Sequence, residues 1–291
     1  MIAETVIIPF LLLVLLLCPR PASDGVRAAL QLWLTGLIPS LLPALLLTRL
    51  LFRLPAFLHL PPAAGVIILG YIGGFPLGAI TAADYVSRGR LSQKEAQLLV
   101  NHCNQPGPAF LVSYVTKGYL TWLSPVISLV CVYGPSLLLL AGEYFSGHIR
   151  VCRSLPARQT AESKKPFLRR LEEDFTSCCE ALVRIGLYLM LFSVLIQYLV
   201  QAAGLPPDVT ACLAGLLEVT SGLPLIASLP VSRAMRTILA LAACSFGGLS
   251  FLFQTASYIL PQGLSIVSYV KKRVLCTAVT VLALLLAAGI T

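Results

Sequence analysis

The sequence predicts an all-α, polytopic membrane bundle. Hydrophobic residues make up 57% of the 291 positions and charged residues 11%, where soluble domains carry about 25% charged residues. The missing charge is concentrated: Ala28–Thr48, Gly118–Gly142, Ile185–Pro207, Thr237–Val270 and Val274–Thr291 contain no Asp, Glu, Lys or Arg. A bilayer core requires roughly 20 apolar residues per helix, and these runs are too many and too long for one soluble core. A membrane β-barrel would alternate in polarity over segments of about 10 residues. Leu137–Ala141 and Leu282–Ala288 do not alternate.

The apolar runs predict helices near 3–18, 27–53, 62–87, 120–145, 176–202, 209–227 and 274–290. Val6–Leu17 resembles a signal-peptide core, but Met1–Thr5 carries only Glu4 and no A-x-A site follows, so a retained first helix is expected. The longest polar connection is Ser146–Glu173, with seven basic residues. The positive-inside rule makes it cytoplasmic. The domain reading is an N-terminal helix and connector over 1–26, a first membrane repeat over 27–145, a basic loop over 146–175 and a second repeat over 176–291. The net charge of +9 resolves into clusters between apolar runs, so nucleic acid is not an expected partner. The nine cysteines show no C-x-x-C or metal-ligand spacing. They are expected as small core residues, and neither a metal site nor a cofactor is expected.

The repeat rests on paired breaks. Gly73-Gly74-Phe75-Pro76-Leu77-Gly78 resembles Ser221-Gly222-Leu223-Pro224-Leu225-Ile226. Further on, Asn104-Gln105-Pro106-Gly107-Pro108 corresponds in order to Ser245-Phe246-Gly247-Gly248-Leu249-Ser250. Gly and Pro inside a membrane helix leave backbone groups unpaired, which survive only against protein or a water-filled cavity. Paired breaks in two halves point to a transporter binding site, where half-helix N-termini face an anion. The competing reading is ordinary Pro kinks and Gly packing contacts. The stretches 93–118 and 236–262 are expected as re-entrant hairpins with the Gly-rich breaks as tips. Thr237–Val270 has 34 uncharged residues, too many for one span at 1.5 Å per residue.

Polar residues near the breaks complete the candidate substrate site: Gly74, Pro76, Asn101, Asn104, Gln105, Gly107, Glu218, Thr220, Ser221, Gly222, Gly247, Gly248, Ser250 and Gln254. Glu218 is the only charged residue between Asp208 and Arg233. Two readings of it stand: a coupling or backbone-bonding carboxylate at the break, or a structural partner for Arg184 or another helix. His102 is either a hydrogen-bonded structural residue or a pH sensor, and Asp84 is expected at the interface. No H-E-x-x-H, G-x-S-x-G or Walker loop occurs, so an enzyme is not expected. Lys271-Lys272-Arg273 is taken with the topogenic loop charges. Charge counting leaves orientation open. Hairpins or full spans at 93–118 and 236–262 each put 14 basic residues inside and six outside, with the termini reversed.

G-G-F-P-L-G at 73–78, S-Q-K-E-A at 92–96 and N-Q-P-G-P-A-F at 104–110 resemble the YlbJ-type sporulation integral membrane proteins. L-E-V-T-S-G at 217–222, F-G-G-L-S at 246–250, Gln254 and the serine-tyrosine-lysine run near 268–272 agree. The resemblance covers roughly residues 30–290. That family is grouped with nucleoside-recognition gate-domain proteins, which implies re-entrant hairpins and broken helices. It further implies a multi-pass protein of the outer forespore membrane that moves dipicolinic acid from the mother cell toward the forespore. The family often has Asn where Gln105 and Ser221 stand. Gln105 still offers an amide, and Ser221 is shorter. The expected partners are the lipid bilayer and a small anion. A second copy of the chain or other sporulation membrane proteins are the candidate protein partners. A nucleoside-type cargo, or a non-transporting scaffold for a sporulation complex, is the alternative.

Overall fold

In a computed structural model, residues 16–51, 60–147, 166–202 and 204–289 are described, and among them the chain is all-helical. Most of the expected helix 3–18 and most of the basic loop lie outside these residues. Helix α1 (Pro19–Leu32) passes through a π-helical turn, Trp33–Leu37, into α2 (Ile38–Leu51). This arm lies antiparallel along α7 (Phe167–Ala202). Tyr198 donates to the Cys18 carbonyl at one end, Trp33 Nε1 donates to the Leu182 carbonyl at mid-length, and Arg49 faces Asp174 at the other end. The arm and α7 approach closely because Gly25 sits on the Val194 backbone and Gly186 beneath the Trp33 ring. Helix α7 begins well before residue 176, so Phe167–Phe175 is helical.

The remainder comprises two sets of five segments. The first set is α3 (Pro62–Ile72), α4 (Leu77–Ser87), α5 (Gln93–Cys103), a π-helical segment Phe110–Tyr119 and α6 (Pro125–Phe145). The second is α8 (Pro207–Leu217), α9 (Val219–Ala227), α10 (Arg233–Phe246), α11 (Gly248–Ile259) and α12 (Ile266–Gly289). Contacts between the sets are reciprocal: α4 packs on α11 as α9 packs on Phe110–Tyr119, and α5 packs on α12 as α10 packs on α6.

The breaks differ from the expectation in kind. The helices expected over 62–87 and 209–227 are helical hairpins. Helices α3 and α4 fold together around Gly73–Pro76, and α8 and α9 around the single residue Glu218. Each arm is 9 to 11 residues long, about 14–17 Å, half a bilayer core. Glycines permit the fold-back: a Cβ on Gly222 would lie 2.4 Å from the Gly215 nitrogen, and one on Gly78 would lie 3.0 Å from the Gly70 Cα.

The stretches expected to be hairpins do not fold back. Arg233–Gln262 runs as one apolar helical stretch of 30 residues, long enough to cross a membrane. Gly247 and Gly248, at φ 90° and 73°, interrupt it without reversing it. In the first set α5 leads through the non-helical residues Asn104–Gly107 into Phe110–Tyr119. A break signals unpaired backbone and does not fix the direction of the next segment. With Pro125–Phe145 and Leu171–Gln201, three described helices can cross a membrane, or four if the bent arm Pro19–Leu47 is one span. Leu138, Phe145, Leu187 and Phe253 point outward from these helices, as lipid-facing residues do.

Candidate functional site

The hairpin tips meet the broken spans. Gly74, at φ 77°, holds the first tip so close to Gly107 that a Cβ would stand 2.4 Å from the Gly107 nitrogen. Phe75 on the same tip crosses to the second set. Its ring stacks on Phe251 with centroids 4.7 Å apart and planes 22° apart, and it also abuts Gly247. The second tip meets the neighbouring residue: a Cβ on Gly248 would lie 3.3 Å from the Glu218 Cα. Both tips therefore converge on Gly247-Gly248.

Glu218 is buried and caps α9. Oε1 accepts from the Thr220 N–H at 3.0 Å and from the Thr220 hydroxyl, and Oε2 accepts from the Ser221 N–H at 2.6 Å. The carboxylate thus satisfies the donors that a helix start leaves open. Arg184 is engaged elsewhere, over the Tyr258 ring and toward Ser257. Tyr114 donates to the Thr220 carbonyl at 2.7 Å, and the Ser193 and Ser221 hydroxyls meet at 3.0 Å.

Around the first break the polar side chains are fully buried. Asn104 Nδ2 donates to Thr255 at 2.9 Å and to Tyr269 at 3.1 Å, while Oδ1 accepts the Ala79 N–H at 3.3 Å. Its amide is committed to tying α4, α11 and α12 together. Gln105 Nε2 donates to the His102 carbonyl at 2.8 Å, leaving Oε1 for Arg273 Nη1. Asn101 lies further along α5, between Gln97 and Ser268, and Pro76 begins α4. Gly222 serves the α8–α9 crossing. Gln254 donates to Ser250 at 3.2 Å and keeps a buried Oε1 without a partner among the described residues. Neither His102 ring nitrogen has one either.

The residue that sequence reasoning missed is Arg273. It is 0% exposed, two turns inside α12, and so is not a loop charge. Its Nε points to the Phe246 carbonyl at 3.4 Å, and its guanidinium carbon lies 5.4 Å over the Phe75 ring. The Lys271-Lys272-Arg273 triplet hid it. The available signal was helical spacing: Tyr269, Arg273, Cys276, Thr280 and Leu284 share one buried stripe. Lys272 turns away to Glu143 at 3.7 Å.

No family model and no solved structure matches the chain. It is similar to the sporulation integral membrane protein YlbJ of Bacillus subtilis (strain 168), at 25% identity over 83% of this chain and 71% of that protein. With the apolar spans, this similarity supports a multi-pass integral membrane protein similar to YlbJ.

Proposed function

We propose that the chain is a membrane transporter or channel for a small anionic solute, with dipicolinic acid, moved from mother cell toward forespore, as the first cargo to test. In this reading it lies in the outer forespore membrane and carries no catalytic centre. The observation that carries it is the convergence of two half-span hairpins on one broken span at Gly247-Gly248. Half-span hairpins and broken helices place backbone polar groups at depth, which membranes tolerate only where protein or a solute path receives them.

Two gate-like repeats of opposite orientation account for the reciprocal packing of the two sets. The α3–α4 hairpin is then re-entrant from the side of the basic loop, and α8–α9 from the opposite side. Contacts at the two ends support that arrangement. Gln93 and Gln97 reach Gln262 and Ser265 at one end, and Trp122 reaches Thr237 and Arg236 at the other.

The test is uptake into proteoliposomes containing only this chain, with labelled dipicolinate and a labelled nucleoside in parallel. Saturable dipicolinate uptake is expected. Uptake of the nucleoside alone would replace the cargo, and uptake of neither would leave the scaffold reading.

A further inference from the structure

We propose that Arg273 is the carboxylate-recognition residue of this transport site, with Gln105 beside it and the Phe75–Phe251 stack as its planar wall. The assignment deepens the anion-transport reading and rests on it. Arg273 lies about 10 Å along α12 from its start at Ile266. A charge taken out of water at such depth is costly unless paired, and buried arginines ordinarily find a carboxylate. Among the described residues none lies within ion-pair distance of Arg273. Glu143 faces Lys272, Asp174 faces Arg49, and Glu218 accepts from its own helix start.

Arg273 is held by neutral groups instead: the Gln105 side-chain oxygen, the Phe246 carbonyl and the Phe75 ring face. Neutral acceptors position a guanidinium and leave its charge uncompensated. Among the described residues Nη2 is buried and unpartnered, a donor still available. A planar fork with a spare donor is suited to a carboxylate, which can accept two parallel N–H bonds. A purely structural Arg273 would cap the C-terminal carbonyls of α10. That role occupies one donor, at the long distance of 3.4 Å, and needs neither the second Nη nor the charge. The neighbouring surface narrows the solute class. Phe75 and Phe251 present stacked rings, and Gly247 abuts the Phe75 ring without a side chain of its own. The chemistry fits a flat aromatic ring bearing at least one carboxylate.

The experiment measures dipicolinate uptake by the full chain in proteoliposomes, with picolinate and the neutral diamide of dipicolinic acid as competitors. In the unmodified protein the two carboxylates are expected to compete and the diamide to be ineffective. Arg273→Gln is expected to raise KM about 10- to 100-fold, the loss of a charge-assisted hydrogen bond, and to erase the preference for charged competitors. Gln105→Glu supplies Arg273 with an internal carboxylate. It is expected to fold at least as stably as the unmodified chain and to lose uptake to a similar extent. Gln105→Glu decides alone if Arg273→Gln does not fold. Folded variants that keep the original KM and competitor preference would overturn the assignment and leave the transport reading standing. Absence of any anion uptake by the unmodified chain would instead overturn the transport reading, and this assignment with it.

Discussion

Glu218 and Arg273 are both buried charges, and their surroundings treat them differently. Glu218 is saturated by its own helix start, with both carboxylate oxygens engaged by backbone N–H groups. Glu218→Gln keeps one acceptor and turns the other into a donor facing an N–H. The expected cost is about 1–3 kcal/mol, that of a buried donor left without its acceptor, read as a lower unfolding midpoint in detergent. Unchanged stability would remove the cap from the account of α9. Glu218 was legible in the sequence because it stands alone in an apolar run. Arg273 was not, because two adjacent lysines give it the look of a loop charge. Its depth follows only once α12 is started at Ile266 rather than near 274, since the helical stripe from Tyr269 to Leu284 then includes it.

The elements turn on where a break reverses the chain and where it only bends it. Gly247-Gly248 is the more conspicuous break in sequence, yet α10 and α11 continue through it as one stretch. The reversal at Glu218 takes a single residue with neither Gly nor Pro at the turn itself. Its enabling glycines, Gly215 and Gly222, lie within the arms, where they permit close packing. The paired breaks and their order were therefore readable, while the identity of the hairpins depended on tertiary contacts that no local pattern encodes. Gly222→Ala tests this. The added methyl would stand 2.4–2.7 Å from the Gly215 and Ala214 backbone, and backbone cannot rotate away as a side chain can. A loss of about 1–3 kcal/mol, as for overpacked cores, is expected as reduced folded yield and a lower unfolding midpoint. Gly134→Ala in α6, where a Cβ meets nothing within 4 Å, is the control expected to stay within about 0.5 kcal/mol. Equal behaviour of the two variants would mean that α8 and α9 do not cross at these glycines.

For the whole molecule, the proposed topology breaks the orientation tie that charge counting alone left. In it α3–α4 and α8–α9 each return to the side they enter from, and the two stretches beginning at Gln93 and Arg233 cross fully. Arg49, Arg53, Arg88, Arg90, Lys94, the seven basic residues between 150 and 170, Lys271 and Lys272 then share one side, 14 in number. Arg20, Arg27, Lys117, Arg233 and Arg236 make five on the other, with Arg184 and Arg273 inside helices. The described side-chain contacts agree with these sides, since Lys272 meets Glu143 and Arg49 meets Asp174 at the first, and Gln201 meets Asp24 at the second. The positive-inside rule makes the 14-charge side cytoplasmic. In the proposed topology helix α12 starts there and crosses once, so a reporter fused at the C-terminus that works only in the cytoplasm is expected to be silent. A single cysteine introduced between residues 150 and 165, in a background lacking the native cysteines, is expected to resist a membrane-impermeant thiol reagent until lysis. An active C-terminal reporter together with a protected loop cysteine would mean that α12 does not cross, or that one hairpin spans fully. The two hairpins would then no longer enter from opposite faces, and the inverted relation between the repeats would fail.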